Sequence, residues 1–205
     1  MTEPHKINPL LILTWLVVAL LSILLLKLSN EFTHDRIVDN RQQSTLRVLL
    51  QIIPGQYNNE IFKDAIQIIE PDYFGTDQPV TVYRSRNETS ILGVVLYPVV
   101  AEGYKGPIKL GVGVTRDGTI SGVRVLYEEE TEGLGAEIHQ QKSDWIQSFA
   151  GVSYDTVPRE QWDVSSENGY FDQISGATIT SRSVINAVRN TLDYHELAGE
   201  NLYTD

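Results

Sequence analysis

Between Leu10 and Leu26 the chain carries no charged side chain, and across Ile7–Leu28 only Asn8, Thr14, Ser22 and Lys27 break the apolar run. A helix on the surface of a globular domain is apolar along one stripe only, so this run is no ordinary amphipathic element. Wound at about 1.5 Å per residue, it reaches roughly the depth of a bilayer's hydrocarbon core. A cleaved secretory signal has a shorter apolar stretch followed by a small-x-small site. Here Lys27-Leu28-Ser29-Asn30-Glu31-Phe32 follows, which offers no such site. Residues 1–30 are therefore predicted to be a short head and an uncleaved, single transmembrane anchor. Charge gives little orientation, because Lys6 and the α-amino group stand with Glu3 on one side and Lys27 on the other.

Beyond the anchor, Glu31–Ile53 has few breakers and apolar positions at Ile37, Val38, Leu46, Leu49, Leu50 and Ile53, which predicts a helical stalk stopped by Pro54-Gly55. The stalk is assigned residues 31–70 and a single domain residues 71–205. From Val80 the texture changes. Val80–Arg84 and Ile91–Ala101 are rich in β-branched and aromatic residues and read as strands. Ile108–Thr115 and Thr119–Tyr127 flank Asp117-Gly118, a hairpin signal in which both central residues are expected at positive φ. The alternation breaks between Ile120 and Val123, which predicts a bulge near Gly122. Glu137–Phe149 reads as helix, packing through Ile138, Trp145, Ile146 and Phe149. Pro158–Ile174 reads as irregular, with Trp162 and Phe171 in the core. A last helix is expected over Ser181–Tyr194, where Val184, Ile185, Val188 and Leu192 fall on one stripe, with Thr180 or Ser181 as N-cap. Strands and helices do not alternate strictly, so the predicted class is α+β, with a mostly antiparallel sheet and flanking helices.

Once Lys6, Lys27 and Glu3 are set aside, the rest of the chain is more acidic than the net −11 of the whole. That excludes nucleic acid, whose phosphates need a basic face, and disfavours a domain lying flat on anionic lipid. There is no cysteine, so disulfides, thiolate zinc, cysteine-ligated iron–sulfur clusters and cysteine-attached haem are excluded. Any redox chemistry must be carried by an organic cofactor.

The chemistry concentrates in Asp172-Gln173-Ile174-Ser175-Gly176-Ala177-Thr178-Ile179-Thr180-Ser181. Gly176 and Ala177 remove bulk, so another group can come close to the backbone. Thr178 lies just ahead of the expected cap, where unpaired N–H groups and the helix dipole favour an anion. Arg182, in the first turn, is expected to face that anion. On these residues alone, the plain alternative is a hydroxyl-rich turn that only caps a helix.

Asp-x-x-Ser-Gly-Ala-Thr followed by Ile-Thr-Ser resembles the flavinylation motif of the G subunit of the Rnf complex and of the C subunit of sodium-pumping NADH:quinone reductase. Gly103-Tyr104-Lys105-Gly106-Pro107-Ile108 and Gly169-Tyr170-Phe171-Asp172-Gln173-Ile174 also match family stretches, and the anchor and chain length fit the Rnf protein better. The resemblance implies FMN held covalently through a phosphoester to Thr178, with Ser175, Gly176, Ala177 and Thr180 around it. A threonine hydroxyl is a weak nucleophile that needs a base, and no His or Lys adjoins Thr178 in sequence. The resemblance implies an external magnesium-dependent FMN transferase with FAD as donor, to which Asp172 would matter. It further implies a bacterial inner-membrane electron carrier with its head inside and its domain periplasmic. Its partners would be the membrane and soluble subunits of an Rnf-type complex that couples ferredoxin and NAD redox chemistry to ion movement.

A second segment, Glu128-Glu129-Glu130-Thr131-Glu132-Gly133-Leu134-Gly135, reads on its own as a solvated charge run. The family pattern there is His-x-Glu-Thr-Pro-Gly-Leu-Gly. The resemblance makes Glu130, Thr131, Gly133, Leu134 and Gly135 flavin-lining, with Leu134 covering a face of the ring. Glu128 and Glu132 depart from the pattern, and both add negative charge that is expected to lower the flavin potential if close to it.

The scattered histidines His5, His34, His139 and His195 lack metal-ligand spacing. Neither a Gly-x-Ser-x-Gly elbow nor a GxGxxG stretch is present. Trp145, Trp162 and Tyr170 are expected in the core. Two rival functions stand beside the electron carrier: a standalone membrane-anchored flavin reductase, and a non-redox anchored binding module.

Overall fold

The structure, a computed structural model, describes residues 9–88 and 90–204, without the side chains of residues 9, 11 and 29–41. It separates into two units, Met1–Arg47 and Val48–Asp205. The first holds most of helix α1 (Pro9–Ile52). Its apolar side chains, including Leu10, Trp15, Leu20 and Leu26, are exposed. Among the described residues no helix is long and apolar enough to cross a membrane. Ile37 and Val38, expected on the packing face of the stalk, have side chains outside the described residues.

The second unit is built on a five-stranded antiparallel meander in sequential order: β1 (Ala65–Ile68), β2 (Val80–Asn87), β3 (Ser90–Glu102), β4 (Pro107–Thr115) and β5 (Ile120–Tyr127). The sheet takes in Ala65–Ile68, within the stretch read as stalk. A single turn of helix, α2 (Pro71–Phe74), follows β1. The β4–β5 hairpin corrects the sequence reading. Gly118 alone has positive φ, at 83°, while Thr115 N–H donates to Thr119 C=O at 2.8 Å and Gly118 N–H to Thr115 C=O at 3.0 Å. The loop is thus Arg116-Asp117-Gly118, a turn closed by a left-handed glycine rather than a two-residue turn. The expected bulge is present: Gly113 pairs with Gly122 and Val114 with Ile120, leaving Ser121 unpaired.

One face of the sheet carries the main core, where Val82, Leu96, Val112, Val114 and Val123 meet Val184, Ile185, Val188 and Leu192 of α3 (Thr178–Ala198). Each of those α3 side chains is 1% exposed or less, worth about 1.5–3 kcal/mol apiece on burial. The other face receives the last turn of α1. Leu49 and Ile52 pack there with Ile61 and Val95. Ile52 sits on a patch without side chains: a Cβ at Gly113 would lie 2.2 Å from the Ile52 oxygen, and one at Gly122 2.9 Å from its Cγ2. The unpaired Ser121 hydroxyl donates to that same Ile52 carbonyl, and Arg124 Nε donates to Gln51 Oε1 at 2.7 Å.

Between β5 and α3 the chain is irregular. The predicted helix Glu137–Phe149 is replaced by two 3₁₀ turns, Gly135–Ile138 and Trp145–Phe149. Ser143 is the reason: its hydroxyl donates to Glu137 C=O at 2.6 Å and accepts from Trp145 N–H at 3.2 Å, taking over bonds that a continuous helix would make. Ile138, Ile146 and Phe149 are buried all the same, as are Trp162 and Phe171. Tyr170, expected in the core, is 55% exposed and meets Phe171 edge-on.

Candidate functional site

The sequence places the start of the last helix at Ser181, but α3 begins at Thr178. Gly176 has φ of 74°, which turns the backbone into Ala177, the residue ahead of the helix. No side chain caps this end. Thr180 and Ser181, the predicted caps, lie inside the first turn and are buried. Ser181 Oγ accepts from Ile174 N–H at 3.0 Å and donates to Ala177 C=O at 3.1 Å, clasping the preceding loop. Thr180 Oγ1 donates to Glu130 Oε2 at 2.8 Å. With both hydroxyls used inward, the first N–H groups of α3 keep no side-chain acceptor and present the positive end of the helix dipole. Arg182 does not face that end. It bonds Asp163 at 3.1 Å and lies 3.2 Å from Glu167, and the bond to Asp163 pushes its pKa up further.

In front of this helix start opens a cleft of about 460 Å³, lined by Thr178 and nine neighbours from three segments. The α3 side supplies Gly176, Ala177, Ile179 and Thr180; the acidic segment supplies Glu130, Thr131, Leu134 and Gly135; the turn before β4 supplies Tyr104. Two predicted site residues stay off this lining. Ser175 is exposed beside it, and Gly133, at φ 72° with nothing within 4 Å of where a Cβ would stand, serves the turn. Thr131 C=O closes that turn by accepting from Leu134 and Ala136 N–H, both at 3.1 Å. Leu134 spans the cleft, since a Cβ at Gly176 would lie 2.9 Å from Leu134 Cδ2.

Neither Glu128 nor Glu132 is among the lining residues. Glu132 pairs with Lys142 at 2.7 Å on the surface, and Glu128 accepts from Glu130 N–H and lies 3.4 Å from His139 Nε2. Tyr104 and Ile179 are the lining residues that sequence reasoning missed. Both are exposed apolar side chains, at 70% and 54%, with no periodicity to mark them; only the family stretch around Tyr104 pointed nearby.

Among the lining residues none is His or Lys. The volume lies in the range of cofactor sites. Leu134, Ile179 and Tyr104 supply apolar cover, and the uncapped helix start suits a phosphate.

Comparison with known proteins gives this geometry a family. Residues 103–193 match the FMN-binding domain family, a span that includes every wall of the cleft. The G subunit of the ion-translocating oxidoreductase complex of Shewanella baltica (strain OS223) is 37% identical over 166 residues, covering 80% of this chain and 78% of that protein. The same subunit of Vibrio cholerae is 35% identical over 178 residues, covering 87% and 85%, and that of Pseudomonas aeruginosa 36% over 185 residues, covering 90% and 86%. A crystal structure of the C subunit of Na(+)-translocating NADH-quinone reductase from Parabacteroides distasonis aligns with a TM-score of 0.46 at 24% identity, over 69% of this chain and 78% of that one. With the relatives' identity extending over most of its length, the chain belongs to the family of G subunits of ion-translocating oxidoreductase complexes.

Proposed function

We propose that this protein is the electron-transferring G subunit of an Rnf-type ion-translocating oxidoreductase complex and carries FMN through a phosphoester to Thr178. The observation that carries the reading is the place of Thr178: the first residue of an uncapped helix, opening onto a cleft whose other walls lie in the same FMN-binding domain match. FMN supplies reversible electron transfer; the chain supplies the tether and the surroundings. The first-turn N–H groups of α3 would hold the remaining phosphate charge, and Leu134, Tyr104 and Ile179 would cover the ring and thin the water around it.

Attachment needs a base to take the Thr178 proton as its oxygen displaces AMP from FAD. No His or Lys lines the cleft, and its one carboxylate, Glu130, is bonded to Lys105 N–H and the Thr180 hydroxyl, which supports a separate FMN transferase as the source of that base. The membrane anchor belongs to the same proposal. Its support is the sequence: Leu10–Leu26 holds no charged side chain and the described side chains there are exposed, although among the described residues alone no helix reaches the length and apolarity of a span. We place it in a bacterial inner membrane with the FMN domain on the periplasmic side, beside the other subunits of the complex.

The test is Thr178→Ala in protein from its native host. Flavin fluorescence that survives denaturing electrophoresis is expected in the wild type and absent in the variant, and the wild-type peptide spanning Thr178 should carry the added mass of FMN. A fluorescent variant band, or an unmodified native peptide, overturns the assignment. A second cleft of about 560 Å³ adjoins the first at Ile179, with Asp72, Tyr73, Ser183, Asn186 and Asn190 on its walls. Among the described residues this cleft favours the standalone-reductase reading, which steady turnover of a soluble acceptor by the isolated chain would support.

A further inference from the structure

Glu130 lines the cleft, yet both its oxygens are committed to the protein. The residue is only 9% exposed. Oε1 accepts from Lys105 N–H at 3.0 Å, and Oε2 accepts from the Thr180 hydroxyl at 2.8 Å. These partners lie in separate elements: Lys105 in the turn that Gly103 N–H closes onto Gly106 C=O at 3.0 Å, and Thr180 in the first turn of α3. The surroundings are cut to fit the carboxylate. A Cβ at Gly103 would lie 2.4 Å from Oε1, and one at Gly135 would lie 2.5 Å from Oε2 and 2.9 Å from Thr180 Oγ1. Among the described residues, the hydrogen bonds to this carboxylate come from a backbone amide and a hydroxyl rather than from a cation. A buried carboxylate held only this way is expensive to lose contact with, so each bond is firmly made.

We infer that Glu130 is the positioning residue of the cleft: it ties the Tyr104 turn to the first turn of α3 and, through Thr180, fixes the direction in which Thr178 presents its oxygen. The inference rests on the flavin reading for what the cleft holds, while the clamp itself consists of bonds within the protein. Tyr104 and Thr178 stand on the two elements so joined, and Glu130's own segment carries Leu134, so one carboxylate sets the spacing of all three walls. Gln can take over both contacts, its oxygen facing Lys105 N–H and its amide facing Thr180 Oγ1. Ala can take over neither.

The test uses the full chain from its native host with three substitutions, Glu130→Ala, Glu130→Gln and Thr180→Val. Hydrogen exchange at the Lys105 amide and the visible circular dichroism of the flavin are read in each. Glu130→Ala should speed exchange at Lys105 about tenfold or more, the factor that follows from losing one firm hydrogen bond, and should change the flavin dichroism. Glu130→Gln should restore both. Thr180→Val should alter the dichroism while Lys105 stays protected, and it keeps the test alive if Glu130→Ala fails to fold. Unchanged exchange and dichroism in Glu130→Ala overturn the inference. So does Glu130→Gln behaving like Glu130→Ala, which would make charge rather than the two bonds the agent. If the wild type carries no flavin, the functional reading fails on its own, and Lys105 exchange still decides the clamp.

Discussion

Leu134 is 41% exposed at the tip of its turn, so it contributes little to the core, but Gly176 keeps room for it across the cleft. A side chain so placed belongs to the ligand more than to the fold. Leu134→Ala should cost less than about 1 kcal/mol of stability, as a partly exposed position does, while shifting the flavin's absorption bands and midpoint potential. Redox titration checks this, and an unchanged spectrum and potential would remove Leu134 from the cofactor's cover. Thr180 and Ser181 show the opposite case. As hydroxyls at a helix start they read as caps, since capping is what such residues do when nothing else claims them. Here Glu130, 50 positions away from Thr180, and the Ile174 amide claim them first. A sequence shows that a hydroxyl is present; it does not show which distant acceptor will reach it.

Among the elements, the strands were the most legible, because Val and Ile alternate along β4 and β5 and the break at Ile120–Val123 marked the bulge at Ser121 in advance. The seat of α1 was not legible. Gly113 and Gly122 are glycines inside strands, a pattern that signals close approach without naming the visitor. The visitor is Ile52, 1% exposed, with its carbonyl taken by Ser121. Gly113→Ala puts a methyl where the Ile52 oxygen lies, at 2.2 Å, and backbone cannot yield as a flexible side chain would. Overpacking of this kind costs about 1–3 kcal/mol. Urea unfolding of the variant should show a midpoint lowered accordingly, and equal midpoints would mean that the α1 turn is not held on the sheet in solution. The segment Glu137–Phe149 was misread for a local reason: its apolar spacing suits a helix, and only the Ser143 hydroxyl, bonded to both flanks, divides it into two turns.

At the scale of the molecule, one titrating group is tied to folding as a whole. His195, near the end of α3, is buried with its Nε2 2.5 Å from the Tyr203 hydroxyl. Burial pushes the imidazole below its ordinary 6.5, with Glu196 and Asp117 pulling weakly the other way, and burial also pushes the Tyr203 phenol up, so the phenol keeps the proton that a neutral ring accepts. The unfolded chain takes up a proton at His195 as pH falls through about 6.5, before the folded chain does. This contribution to stability is therefore complete above that value and is lost as pH drops toward the depressed folded value. The melting temperature of the wild type should fall between about pH 7.5 and pH 5.5 more steeply than that of His195→Gln. Parallel curves would show that the ring does not titrate with folding.

The two sides of the cleft are made at different times. A chain growing from its N-terminus completes the meander, Tyr104 and the Thr131–Gly135 turn while Thr180, 50 positions beyond Glu130, does not yet exist. Until α3 has been synthesised and has docked, Glu130 has only the Lys105 amide to hold, and Thr178, the proposed attachment point, is not yet in place. A cofactor that needs both walls is therefore fitted to a folded protein, as a finishing operation, and cannot serve as a template on which the domain forms.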